Sequence, residues 1–167
     1  TPGEIEDALV KVMREVRPDV VITHEPNGIT NHPDHIKISF ATTFAFQIYA
    51  KMRADQNPTD LHPPKLYYAC FPQTIISYLV KNKYFPAELF GKPVRGVEDK
   101  RITTVINIKR FASTKLKALL SHATQQSILE KYMDIPHNPF FLQEYFVLRM
   151  VGEKEVYMGR NDRVSDR

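Results

Sequence analysis

A short run of β-branched residues between two helical patterns constrains this chain more than any other feature. Asp19-Val20-Val21-Ile22-Thr23-His24 reads as a short buried strand of parallel type. Ahead of it, Ile5, Ala8, Leu9, Val12 and Val16 recur at helical spacing, with Glu6, Asp7, Lys11 and Arg14 mostly on the other side. Thr1 with Glu4 makes a capping-box pattern, with Pro2 at the first helical position, and Pro18 stops that helix. Behind the strand, residues 25–31 contain Pro, Gly and two Asn and read as a loop. A second helix is predicted to start near His32-Pro33 and run to about Arg53, because Ile36, Phe40, Phe44 and Ile48 recur every four residues.

Residues 55–64, with three Pro, two Asp and one Asn, form a surface connection, and residues 65–71 read as a strand. Residues 75–83 are ambiguous, and residues 84–100 are broken by Pro86, Gly91, Pro93 and Gly96. A strand is expected over 101–108. A helix follows over 111–132, with Ala112, Leu116, Leu119, Leu120 and Ala123 on one side, and a last strand over 144–150. This alternation predicts an α/β fold with a mostly parallel sheet flanked by helices. The first helix needs a sheet to cover it, yet no strand precedes it and the chain does not begin with Met. One or more N-terminal strands are therefore expected to be missing from this chain. The domain is expected over residues 1–151, with a loose polar tail over 152–167.

The 167 residues, 43% of them hydrophobic, suffice for one domain with a sizeable core. Lys and Arg exceed Asp and Glu by 23 to 19, and no Lys/Arg block is longer than two, which argues against nucleic acid as a partner. No apolar run approaches the ~18 residues of a membrane span, and no secretory leader is evident. A single cysteine, Cys70, rules out a disulfide framework and a cysteine-built zinc site, so a cytoplasmic location is the expectation. A homo-oligomer is left open.

The chemistry is concentrated at His32-Pro33-Asp34-His35. In open α/β sheets, ligands sit beyond the carboxyl ends of the strands, where loops such as 25–31 gather. Two imidazoles at i and i+3 share a helical face, with a carboxylate between them. The positive end of the helix favours the Asp34 carboxylate and a neutral, metal-ready histidine. One metal ligand plus one acid or electrostatic group is a more natural division of labour here than two ligands. A catalytic zinc takes about three protein ligands, more than this turn can supply. A plain helix cap, with Asn31 or His32 at the cap and Pro33 at the first position, would account for the same residues without chemistry. His24 ends the strand nearby and is either a partner in the site or a buried, hydrogen-bonded histidine. His122 lies on the long helix. His62 and His137 sit beside prolines and carry no assignment, Cys70 reads as a small core residue, and Lys109-Arg110 as a solvated face.

Residues 17–24 (Arg-Pro-Asp-Val-Val-Ile-Thr-His), then Gly28, then His32-Pro33-Asp34-His35, resemble the PIG-L/LmbE-like N-deacetylases. Residues 117–125 (Lys-Ala-Leu-Leu-Ser-His-Ala-Thr-Gln) are similar to that family's Lys-x-Ala-Leu-x-x-His-x-(Ser/Thr)-Gln helix, and Glu144-Tyr145-Phe146 to its late strand. The resemblance implies a Rossmann-like domain with a zinc-dependent hydrolase site, other divalent ions being open. The implied activity is removal of the acetyl group from a small amino-sugar substrate containing N-acetylglucosamine, or from a related amide. By the same resemblance His35 matches the metal-ligand histidine. His32 matches the histidine that steadies the tetrahedral intermediate or protonates the leaving amine, and Asp34 orients it. The substrate-binding residues are unknown. The family's Ala-His-Pro-Asp-Asp-Glu motif, which supplies further ligands and the general base, does not occur here, and Thr30 stands where many relatives carry tyrosine. This chain by itself is therefore expected to be inactive.

Two other classes compete. A non-catalytic binding or assembly domain on the same scaffold fits the absent motif and Thr30. A sugar-phosphate or nucleotide binder using helix N-termini lacks any glycine-rich phosphate loop.

Overall fold

The computed structural model describes residues 3–125 and 139–156. Helix α1 (Glu4–Val16) opens after Gly3 with Glu4, Glu6 and Asp7 in its first turn, where the helix dipole favours them, and closes on Arg17 in the left-handed region. Thr1 and Pro2 of the expected capping box lie outside the described residues. Strand β1 (Val20–His24) follows, then the single strained turn α2 (Gly28–Asn31) and the long helix α3 (Pro33–Gln56). Strand β2 (Lys65–Cys70) and helix α4 (Gln73–Lys81) come next, the latter resolving the ambiguous 75–83 stretch. A small hairpin, β3 (Glu88–Leu89) and β4 (Lys92–Pro93), interrupts what reads as loop. Strand β5 (Thr104–Asn107), helix α5 (Ala112–Leu120), strand β6 (Gln143–Val151) and the short β7 (Lys154–Glu155) complete the order.

The result is a mixed α/β layer, with one correction to the expected sheet. Its strands run in the order β1-β2-β6-β5, with β7 on β6. Among the described residues the β1–β2 pair of this sheet is parallel, and the β2–β6, β5–β6 and β6–β7 pairs are antiparallel. Strand direction has no local signature in composition, so the alternation of elements could not fix it. The chain turns at Gly152 and pairs back through β7 rather than leaving the sheet there.

The core lies against one face of β2. Alternate residues Leu66, Tyr68 and Cys70 pack with Met13 of α1 and with Ala45, Phe46, Tyr49 and Ala50 of α3. Val147 and Met150 of β6 join the same cluster although three apart, because Leu66 faces Met150 and Tyr67 faces Leu148, which leaves one extra residue on β6 as a bulge. The ion pair Lys37–Glu6 (2.8 Å) and the Tyr49 hydroxyl donating to the Pro18 carbonyl (2.9 Å) tie α1 and its exit to α3.

Burial fixes the face of α3 and corrects one further expectation. On α3, Phe40 is 60% and Phe44 55% exposed, whereas Ala41, Ala45 and Phe46 are fully buried. Strand β1 is not buried on both sides. It is the edge of the sheet, with Val20 and Ile22 exposed, and with the apolar side of α1 it lines a groove of about 510 Å³. Among the described residues no strand pairs with its outer edge.

Candidate active site

Strand β1 delivers His24 to the carboxyl end of the sheet, and α3 begins nine residues later with His35 in its first turn. The Ser39 hydroxyl donates to the His24 carbonyl (2.7 Å), which binds the strand end to the helix. The imidazoles of His24 and His35 stack with centroids 4.3 Å apart and planes 13° from parallel, and His32 lies 4.9 Å from His35. The three histidines form one contiguous cluster.

Their nitrogens are not equivalent. His35 Nδ1 lies 3.1 Å from the Gly28 carbonyl and donates to it, because a carbonyl can only accept; Nε2 then carries the free lone pair. His32 is the N-cap of α3, with its Nδ1 accepting the Asp34 backbone N–H at 3.1 Å. In that neutral ring the proton sits on Nε2, away from the helix. The Asp34 carboxylate, 91% exposed, approaches His32 Nδ1 only to 4.0 Å. The backbone of Asp34 therefore holds the ring more firmly than its side chain does. His24 Nδ1 is buried with no hydrogen-bond partner among the described residues. Burial, and then electrostatic repulsion from His35, push its pKa down, favouring the neutral ring.

The connecting loop is strained and braced. Gly28, Ile29 and Asn31 all have φ near +60°, a region a β-branched residue such as Ile29 rarely enters. A Cβ on Gly28 would lie 2.8 Å from the His35 Cβ, so only glycine fits against the start of α3. The Glu25 carboxylate, 5% exposed, accepts the backbone N–H groups of Asn27 and Ile29, each at 2.8 Å. The buried Asn31 amide donates to the carbonyls of Leu89, Lys92 and Pro93, clamping the β3–β4 hairpin beside the site. Phe90 and Gly91 make that hairpin's two-residue turn in the left-handed region, and the Phe90 ring meets His32 edge-on at 4.9 Å.

Thus His24, His32 and His35 come together; Glu25 and Phe90 join them without having been singled out from sequence, and Asn31, a cap candidate there, serves as a clamp while His32 is the cap. The Pro26-Asn27-Gly28 loop hinted at Glu25's bracing role, whereas nothing local linked Asn31 to a hairpin some sixty residues on. His122 lies just past the end of α5 rather than within a long helix, and is exposed; Ala123–Gln125 form a 3-10 turn, and residues 126–132 of the expected helix lie outside the described residues. His62 is exposed on the 57–64 connection, and His137 also lies outside the described residues. Cys70 is core, its thiol pushed up to about 12 chiefly by burial.

A zinc-ligating histidine commonly donates its second nitrogen to a carbonyl or carboxylate, as His35 does to Gly28, so His35 suits one ligand position. The described residues gather no set of three or more His, Cys, Asp or Glu side chains that could hold a metal, so they do not by themselves make a catalytic zinc site.

The family model described as PIG-L, GlcNAc-PI de-N-acetylase, matches residues 1–46, which include β1, the braced loop and the His32–His35 turn. Over these residues the chain matches the PIG-L family. Among relatives of this family, the chain is 33% identical over 155 residues to the 1D-myo-inositol 2-acetamido-2-deoxy-alpha-D-glucopyranoside deacetylase of Rhodococcus erythropolis, covering 87% of this chain and 52% of the relative. Proteins of the same description from Rhodococcus jostii and Streptomyces scabiei are 29% and 31% identical, each across 84% of this chain and 51% and 48% of theirs. The chain spans about half the length of the PIG-L relatives it matches.

Proposed function

We propose that the protein is a zinc-dependent N-deacetylase that removes the acetyl group from an N-acetylglucosamine-containing substrate, with this chain carrying part of the site. The observation that carries this reading is the pairing of two differently prepared imidazoles: His35 offers a bare Nε2, and His32, fixed by its cap, offers an Nε2–H. The deacetylase relatives named above support the substrate class. In this reading the sheet is Rossmann-like and further strands pair along the open edge of β1.

His35 would hold zinc together with donors from outside the described residues. Zinc when bound supplies Lewis-acid polarisation of the amide carbonyl and acidifies water. The chain's own residues supply orientation and hydrogen bonding. In this reading His32 Nε2–H would donate to oxygen charge developing on the attacked carbonyl, with the Asp34 backbone N–H on Nδ1 holding the ring. The Phe90 ring packs edge-on against His32 on one side.

The test is acetate release from N-acetylglucosaminyl-inositol by the zinc-loaded full-length gene product, with metal content measured in parallel. The reading expects turnover and about one zinc per chain, with His35→Ala losing both. No acetate from any N-acetylglucosaminide, together with metal content unchanged in His35→Ala, would overturn it. That result would favour a binding domain, the alternative suggested by the incomplete ligand set.

A further inference from the structure

The Glu25 carboxylate is an odd thing to bury in this loop. It is 5% exposed, and among the described residues no Lys or Arg pairs with it. Instead each of its oxygens takes one backbone N–H, from Asn27 and from Ile29. Only a carboxylate presents two acceptors and no donor at that reach, so the loop's backbone is wound around an anion.

One of those two amides belongs to a special peptide. The Ile29 N–H shares its planar unit with the Gly28 carbonyl. That carbonyl is the group accepting His35 Nδ1–H at 3.1 Å. The Gly28–Ile29 peptide is therefore gripped from both ends, with the anion on its N–H and the imidazole on its C=O. Negative charge on the N–H side polarises the unit and makes its oxygen a stronger acceptor. The left-handed backbone at both Gly28 and Ile29 is what turns the peptide to face both ways.

We infer that Glu25 is a positioning residue for His35, acting through the Gly28–Ile29 peptide as the remote carboxylate that holds the ring as its Nδ1–H tautomer with Nε2 bare. Metal-ligating histidines are commonly oriented by a carboxylate in direct contact. Here a peptide group stands between the two, so the carboxylate is buried beneath the loop and kept out of the open site. The significance of a bare Nε2 rests on the reading of His35 as a ligand; the tautomer itself does not.

The experiment is histidine side-chain NMR on the metal-free chain, labelled with 13C and 15N and held at mildly alkaline pH. In the unaltered protein His35 is expected to favour the Nδ1–H tautomer by about tenfold, the worth of one good hydrogen bond. Glu25→Gln, which can accept only one of the two amides, is expected to bring the two tautomers to near parity. Glu25→Asp, which keeps the charge but draws it back by one methylene, is expected to fall between them. An Nε2–H tautomer in the unaltered protein overturns the inference, whatever the variants do. So does an unchanged ratio in folded Glu25→Gln or, if that variant does not fold, in Glu25→Asp. Because the measurement uses neither metal nor substrate, its failure leaves the deacetylase reading standing, and loss of that reading leaves the tautomer result intact.

Discussion

His32 caps the helix that carries Asp34: its Nδ1 accepts the Asp34 backbone N–H at 3.1 Å, while the Asp34 carboxylate stands 4.0 Å off and is almost wholly exposed. The two parts of Asp34 therefore have separable weights. On the deacetylase reading, Asp34→Asn in the full-length protein keeps the backbone donor and is expected to lower kcat for acetate release by less than about tenfold. On the same reading His32→Ala removes the proposed oxyanion donor and is expected to cost about 10²–10³ in kcat. Steady-state kinetics on the two variants checks the ordering, and an Asp34→Asn loss as large as that of His32→Ala would mean that the carboxylate works on the ring directly.

Phe44 and Phe46 differ by two positions on α3 and by everything in environment, one 55% exposed and the other fully buried. Phe46→Ala empties a site in the main core and is expected to destabilise the chain by about 3–5 kcal/mol. Phe44→Ala is expected to stay within about 0.5 kcal/mol of the parent. Urea denaturation of both variants decides the phase of the helix in solution.

Cys70 is sealed in that core with its thiol pushed up to about 12, burial being the main cause and the nearby Glu25 charge the second. The thiolate is the reactive form, so iodoacetamide at pH 8 is expected to leave the native chain unlabelled and to label it readily in urea. The folded protein holds this proton more tightly than the unfolded one. Cys70 therefore favours folding below about pH 9 and loses that contribution as pH rises further. Relative to Cys70→Ala, the parent's thermal midpoint is expected to fall on the alkaline side.

Asp60 has the opposite sign. The His62 backbone N–H, and then Arg53 at 3.0 Å, hold its carboxyl below the usual carboxylate range. The ionised form favours folding, so its contribution is present above a pH near 4 and disappears as pH drops through the lowered value. The difference in Tm between the parent and Asp60→Asn is expected to be positive at neutral pH and to close in acid.

Much of the site was legible because it is local. His24, the loop and His35 lie within twelve residues of one another, and a strand followed by a loop and a capped helix can hardly scatter them. The wall of the site was not legible. Phe90 reaches His32 only because Asn31 binds three carbonyls of a hairpin far along the chain, and no periodicity encodes such a clamp. The four-residue repeat marks α3 as a helix but not its buried face: the packed side is Ala41, Ala45 and Ala50 with Phe46 and Tyr49, where small residues let the helix approach the sheet. The sheet's antiparallel majority was likewise invisible, since nothing in β6's composition states its direction.

The bare outer rim of β1 has a consequence for anyone who produces these 167 residues alone. Among the described residues the main-chain donors and acceptors on that side pair with no strand, and they are bordered by exposed Val20 and Ile22 and by the apolar side of α1. Rims of this kind recruit whatever extended peptide is at hand, including another copy of themselves. In dilute solution the molecule would stay dispersed; as concentration rises, scattered light should grow with it. A covalently attached strand long enough to lie along residues 20–24 would restore clarity without altering a single side chain of the histidine cluster.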